Sequence, residues 1–264
     1  MLTSRLNESL LEFACVSVAR GLKTVLHDIN LKIAPGEHVA ILGPNGSGKS
    51  TLIKTITREC YPLVRDGCHV RILGRDRWNV FELRSLLGIV SNDLATTCTR
   101  DISVEEAILS GFFSSIGLQP YHQVTAAMQE KASEVVGLLK IGHLGGRCLA
   151  ELSSGETRRV VIGRALVHSP LALLLDEPAN SLDLFAMQEL RQIIRTLAHH
   201  GIGIVLVTHH LPDLIPEIER VIFLNNGRIL ADGPKAELLT AERLSALFGV
   251  DVRLIERDGY FHLC

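Results

Sequence analysis

Four short stretches of this sequence carry residue types at spacings that can do phosphate chemistry. The first is GPNGSGKST at 43–51, which satisfies G-x-x-x-x-G-K-[ST] between a short apolar run and a helix-forming run. In such a loop Gly43, Gly46 and Gly48 let backbone N–H groups turn inward around phosphate oxygens. Pro44, Asn45 and Ser47 fill the loop between them, and the helix that follows adds its dipole. Lys49 is expected to reach the β/γ-phosphates of a nucleotide and Ser50 to ligate Mg2+, with Thr51 completing the motif. A glycine turn followed by a solvated lysine accounts poorly for so complete a match.

The second stretch is LALLLDEP at 171–178, apolar through Leu175 and then acidic. A buried strand of this kind delivers its acids at its carboxyl edge, where ligands sit in open α/β sheets. Asp176 is expected in the Mg2+ shell and Glu177 as the general base that polarises an attacking water. Strands often end in solvated acidic turns, and it is the phosphate loop that tips the reading. The third stretch is VTHH at 207–210, where His209 is placed to meet a γ-phosphate and His210 reads as an edge residue. The fourth is LSSGETRR at 152–159. Ser153 with Glu156 three places on is a capping box, and a helix start is also a site that attracts anions.

Positioning these residues takes a sheet with helical crossovers. Residues 11–33 read as two strands around a glycine turn, HVAILG as a buried strand running into the phosphate loop, and CHVRILG and LLGIVS as further strands. From about 101 to 143 the spacing turns helical, with Ser103 and Glu106 forming a second capping-box pattern. After LSSGETRR the alternation resumes: strand LALLLDE, helix LFAMQELRQIIRTLAHH and strand IGIVLVTH. Asn226-Gly227 between two strand-like runs predicts a hairpin, and KAELLTAERLSALFGV reads as helical before a short extended tail. Strands alternating with helices imply an α/β fold with a mostly parallel sheet.

Composition narrows the class. The 264 residues are 47% hydrophobic and 21% charged with a net charge of −2, as in a soluble globular chain without a field for nucleic acid. The longest apolar runs, 171–175 and 202–207, fall far below the roughly 20 residues of a membrane span. The opening MLTSRLNESLLEF shows no signal-peptide h-region. The six cysteines, Cys15, Cys60, Cys68, Cys98, Cys148 and Cys264, have no ligand spacing and read as reduced, mostly buried thiols of a cytosolic protein. Cys68-His69 lacks the other half of a metal site.

Phosphate loop, LSSGE, the strand ending in DEP, SLD at 181–183 and TH at 208–209, in that order, resemble the ATP-binding cassette (ABC) ATPases over nearly the whole chain. The resemblance implies one cassette domain. Its β lobe and RecA-like core span about 10–92 and 157–247, a helical lobe about 93–156, and a tail 248–264. It implies ATP and Mg2+ as ligands and hydrolysis of ATP to ADP and phosphate. Ser153 and Gly155 would contact the γ-phosphate of a partner cassette's nucleotide across a head-to-tail dimer, and Asp183 would communicate between the two sites. Glu177 matches the catalytic glutamate and His209 the switch histidine.

Three positions depart from the family pattern. The signature loop carries Ser154 and Glu156 in place of Gly and Gln. Asn92 stands where a glutamine that contacts Mg2+ is usual, one methylene shorter. Arg20 replaces the adenine-stacking aromatic, where a guanidinium plane either stacks on the base or sits in solvent. The whole implies the cytoplasmic nucleotide-binding subunit of a transporter, on the membrane's inner face, with its permease on a separate polypeptide. The tail looks like that of metal and metal-chelate importers. The alternative is a soluble cassette ATPase without a permease, acting in regulation or assembly. Residues 52–170 lack the long heptad insertion of DNA-repair cassettes, and there is no second phosphate loop as in translation factors.

Overall fold

The computed structural model describes residues 8–91 and 101–263. In chain order, β1 (Leu11–Arg20), β2 (Lys23–Ile33), β3 (His38–Leu42), α1 (Lys49–Ile56) and β4 (His69–Ile72) come first. Next are α2 (Val80–Leu86), β5 (Leu87–Val90), α3 (Val104–Leu109), α4 (Ala126–Leu138), α5 (Ser154–Leu166), β6 (Ala172–Asp176) and α6 (Leu184–His199). The chain closes with β7 (Gly203–Thr208), β8 (Arg220–Asn225), β9 (Arg228–Pro234), α7 (Lys235–Leu238), α8 (Ala241–Phe248), β10 (Leu254–Arg257) and β11 (Tyr260–Leu263). These elements form two compact units, one of residues 8–80 with 203–263, the other of 81–91 with 101–202.

In the first unit β3 lies between β7 and β8, parallel to both, and β9 adds antiparallel to β8. Val39 to Leu42 and Ile204 to Val207 are at most 2% exposed, so these strands are near-continuous apolar runs rather than alternating ones. Between β8 and β9, Asn226 and Gly227 have φ of 48° and 70°, the two positive angles a two-residue type I′ turn requires. An antiparallel lobe, in the order β2-β1-β4, completes the first unit.

The expectation of reduced, mostly buried thiols fails in that lobe. β1 is bulged near Cys15, which has φ 44° and donates its N–H to Asn30 Oδ1 at 2.8 Å. Ala14 pairs with His69, so the chain before β4 brings Cys68 opposite Cys15, and the two form a disulfide at a Cα separation of 5.1 Å. Cys60 and Cys148 are free and half-buried. Cys98 and Cys264 lie outside the described residues.

In the second unit β5 runs parallel to β6, in register from Leu87 opposite Ala172 to Val90 opposite Leu175. A Cβ on Gly88 would lie 2.4 Å from Leu173 Cδ2 and 3.0 Å from the Ala165 carbonyl, which leaves room only for glycine. Ser103 caps α3 by accepting the Glu106 N–H at 3.1 Å. The predicted capping box is only half present, because the Glu106 carboxylate accepts the Leu118 N–H at 2.9 Å instead. The architecture is the α/β class read from the sequence, with mostly parallel strands, an antiparallel lobe and a group of helices between β5 and β6. No helix among the described residues is long and apolar enough to cross a membrane.

Candidate functional site

The phosphate loop leaves the carboxyl end of β3, where Leu42 is paired with Thr208 on one side and Phe223 on the other. Gly43 and His209 therefore leave adjacent parallel strands at the same level. A Cβ on Gly43 would lie 2.0 Å from the Leu224 carbonyl and 2.7 Å from Ser47 Oγ, so the first position of the motif admits nothing larger. Gly46 and Gly48 have φ of 79° and 109°, conformations open to glycine at no steric cost. The loop is tied from outside by Gly227, whose N–H donates to the Ser47 carbonyl at 2.8 Å. Gly227 in turn accepts the His27 N–H at 2.8 Å, which links the loop to β2.

Lys49 is only 5% exposed, and its Nζ donates to the carbonyls of Gly43 at 2.8 Å and Pro44 at 3.1 Å. The Ser47 hydroxyl is buried without a hydrogen-bond partner among the described residues. Asn45, Gly46 and Ser50 are exposed around the loop mouth. A buried cation, an orphaned hydroxyl and glycine-only backbone around the start of α1 are what a bound phosphate would satisfy. The loop fits a nucleotide's phosphates.

His209 follows directly. Thr208 is fully buried and donates its hydroxyl to Asp213 Oδ2 at 2.6 Å, while its oxygen accepts the His210 N–H at 3.0 Å. The rings of His209 and His210 lie 3.7 Å apart, half-buried and exposed respectively. Arg20, at the end of β1 opposite Lys23, is exposed.

The acids and the signature loop belong to the second unit. Asp176 ends β6 and is half-buried. Arg158 on α5 is 5% exposed. Burial lowers its pKa, and the charge of Asp176 opposes that shift. Glu177 sits at φ 45°, a conformation uncommon for a residue with a side chain. Its carbonyl accepts the Asn180 N–H at 3.1 Å, starting the turn that carries SLD. Asp183 caps α6 by accepting the Ala186 N–H at 2.8 Å.

Ser153 caps α5 as the sequence predicts. Its N–H donates to Glu156 Oε2 at 2.8 Å, and its hydroxyl accepts the Glu156 N–H at 3.3 Å. Hydrogen bonding of the carboxylate to the Ser153 backbone and side chain holds the Glu156 pKa below its ordinary value, and Arg147, 3.4 Å from Glu156 Oε1, acts in the same direction. A Cβ on Gly155 would lie 2.6 Å from Ala186 Cβ, so the starts of α5 and α6 are packed together. Structure thus brings Ser153, Gly155 and Asp183 into one neighbourhood. Asn92 lies outside the described residues.

A family model described as "ABC transporter" matches residues 26–180. The chain belongs to that family. The hemin import ATP-binding protein HmuV of Hahella chejuensis is 32% identical over 252 residues, covering 91% of this chain and 93% of its own. HmuV of Bradyrhizobium diazoefficiens is 32% identical over 261 residues, covering 95% and 92%. Among solved structures, CbiO1 from Clostridium perfringens, part of the ABC transporter complex CbiONQ, shares the fold. Its TM-score is 0.76 at 24% identity, over 91% of this chain and 94% of that one. The ADP conformation of another transporter's ATP-binding cassette matches with TM-score 0.76 at 25% identity, over 90% and 98%. The cassette is an ABC-type ATPase subunit of a transporter.

Sequence reasoning passed over Arg147 and Asp213, and it used Thr208 only as part of a motif and Gly227 only as a hairpin turn. Each acts through a neighbour distant in sequence or through backbone.

Proposed function

We propose that this cassette binds ATP with Mg2+ in its phosphate loop and pairs head-to-tail with a second cassette. On this reading it hydrolyses the nucleotide to energise a separate membrane permease. The observation that carries the reading is the loop itself: buried Lys49, the orphaned Ser47 hydroxyl and the glycine-only positions Gly43 and Gly48. Lys49 exchanges two carbonyl partners for phosphate oxygens, and backbone N–H groups of the loop and of the start of α1 surround the same anion.

Mg2+ neutralises phosphate charge when bound. Ser50, Asp176 and Asn92 supply oxygens of the hard type that it takes and are the residues proposed to hold it. Glu177 orients the attacking water and accepts its proton, and His209 holds the γ-phosphate end. Ser153 and Gly155 close over the nucleotide of the second cassette, where the low Glu156 pKa keeps a charge that Arg147 offsets. Asp183 joins the two sites, and Arg20 lies at the adenine end.

Residues 10–92 and 157–247 work as the nucleotide core and 93–156 as the lobe that receives a permease helix, on the cytoplasmic face. The hemin import names of the relatives, together with the tail 248–264, support a metal-chelate cargo. Steady-state ATPase assays test the first step: Lys49→Ala should lose turnover, and equal rates for the two chains would end the hydrolase reading. For the second, a Glu177→Gln chain extracted gently from native membranes should bring down a polytopic protein. Its absence would end the transporter reading.

A further inference from the structure

The C-terminal hairpin rests against the turn that carries His209. β11 packs on the single 3-10 turn Leu211–Asp213, which begins two residues after that histidine. Its buried side chain is Phe261, 7% exposed, on a hairpin whose Glu256, Arg257 and Asp258 are exposed. At the hairpin's own turn, Gly259 has φ 78°, and a Cβ there would lie 3.2 and 3.3 Å from ring carbons of Pro216. Lys235 clamps the two together: its Nζ donates to the Pro216 carbonyl at 2.9 Å and lies 5.7 Å from the centre of the Phe261 ring.

The other side of this 211–216 segment holds the switch turn. Asp213 Oδ2 accepts the Thr208 hydroxyl at 2.6 Å, and the Asp213 N–H donates to the His210 carbonyl at 3.2 Å. Thr208 Oγ1 accepts the His210 N–H at 3.0 Å. The His210 carbonyl is therefore held directly by Asp213 of the turn, and its N–H by Thr208 at the end of β7, whose hydroxyl Asp213 accepts. A two-stranded hairpin is marginal alone, so β10–β11 is ordered by this docking, and the docking in turn braces the turn.

We propose that the β10–β11 hairpin is a positioning device for His209, with Phe261 and Lys235 as positioning residues that act through Asp213 and Thr208. The inference rests on the reading that His209 meets the γ-phosphate. Removing the brace loosens the turn without touching the phosphate loop, so it changes turnover and leaves nucleotide affinity alone.

The experiment uses the full chain with Phe261→Ala, and Lys235→Met as a milder variant that keeps the apolar stem. Amide hydrogen exchange is read without nucleotide, and kcat and KM for ATP with it. In Phe261→Ala the His210 N–H should exchange about tenfold faster, the scale of one ordinary hydrogen bond, while amides of β3 stay unchanged. The kcat should fall about tenfold with KM within about twofold, and Lys235→Met should move both quantities the same way by less. On a His209→Ala background, Phe261→Ala should cost nothing further. Unchanged His210 exchange, a KM that rises with the fall in kcat, or a full additional loss on the His209→Ala background would each overturn the proposal. If Phe261→Ala does not fold, Lys235→Met decides by the same three criteria. A wild-type chain without ATP turnover would strike the functional reading instead, and the exchange comparison would still uphold or overturn the brace.

Discussion

Glu156 places a negative charge at a helix start proposed to hold phosphate, and its surroundings show how the charge is managed. The Ser153 N–H and hydroxyl engage it, Arg147 stands 3.4 Å away, and its pKa lies below the ordinary 4.5. A carboxylate with a depressed folded-state pKa contributes stability that is complete above its unfolded value and is lost as pH falls through the folded one. Urea unfolding should therefore find wild type more stable than Glu156→Gln at pH 7, with the gap closing as pH drops below about 4.5. Glu177 carries the other residue-scale expectation. Its φ of 45° holds the carboxylate at the end of the β6 strand in a backbone conformation that costs energy. Glu177→Gln should retain ATP binding and lose about 10²- to 10⁴-fold in kcat, the usual contribution of a general base, as read by equilibrium binding and steady-state assay. Both residues were legible as types at spacings. Arg147 was not, because it reaches Glu156 across the turn Leu149–Glu151 and no local pattern marks it.

Among the elements, the β lobe has the strands that periodicity implied but departs from what cysteine spacing implied. Cysteine spacing gave no sign of pairing, since Cys15 and Cys68 are 53 residues apart and meet only through the β1–β4 register. The loop they close contains β2, β3, the phosphate loop and α1. Cross-linking a loop of that length removes unfolded-chain entropy worth about 4 kcal/mol by the polymer estimate, with engineered bonds often delivering less. Cys15→Ser should lower unfolding stability by up to that amount in oxidising buffer, and excess reductant should bring wild type down to the variant. Equal stabilities before reduction would show that the bond adds nothing to the fold. Other elements were readable because their signals are local: Asn-Gly fixed the β8–β9 turn, and the continuous apolar runs marked β3, β6 and β7 as buried. The Ser103 box was half right. Its cap needs only Ser103 and a free N–H, whereas the Glu106 side chain chose a donor twelve residues away at Leu118.

At the scale of the whole molecule, the chain holds one phosphate loop and one signature loop, and the proposed assembly shares two of each between two cassettes. Glu177→Gln with ATP should sediment at twice the monomer mass, and Lys49→Ala with ATP should remain at the monomer mass. A Glu177→Gln chain that stays monomeric at saturating ATP would reject the shared-site assembly. The sequence by itself determined which residue types stand at the proposed site and at what spacing. Glycine, lysine, serine and acid positions at set spacings can be read without a fold, because the constraints of φ and charge that select them act within a few residues. It also determined which strands are buried, because apolar runs have no other place to go. Only the tertiary structure decided what holds those groups in place: Gly227 against the phosphate loop, Ala186 against Gly155, the disulfide across the β lobe and the C-terminal hairpin under Asp213. Each of these joins residues far apart in the chain or through backbone atoms common to every residue, so the geometry that makes the contact exists only once the strands have found their register.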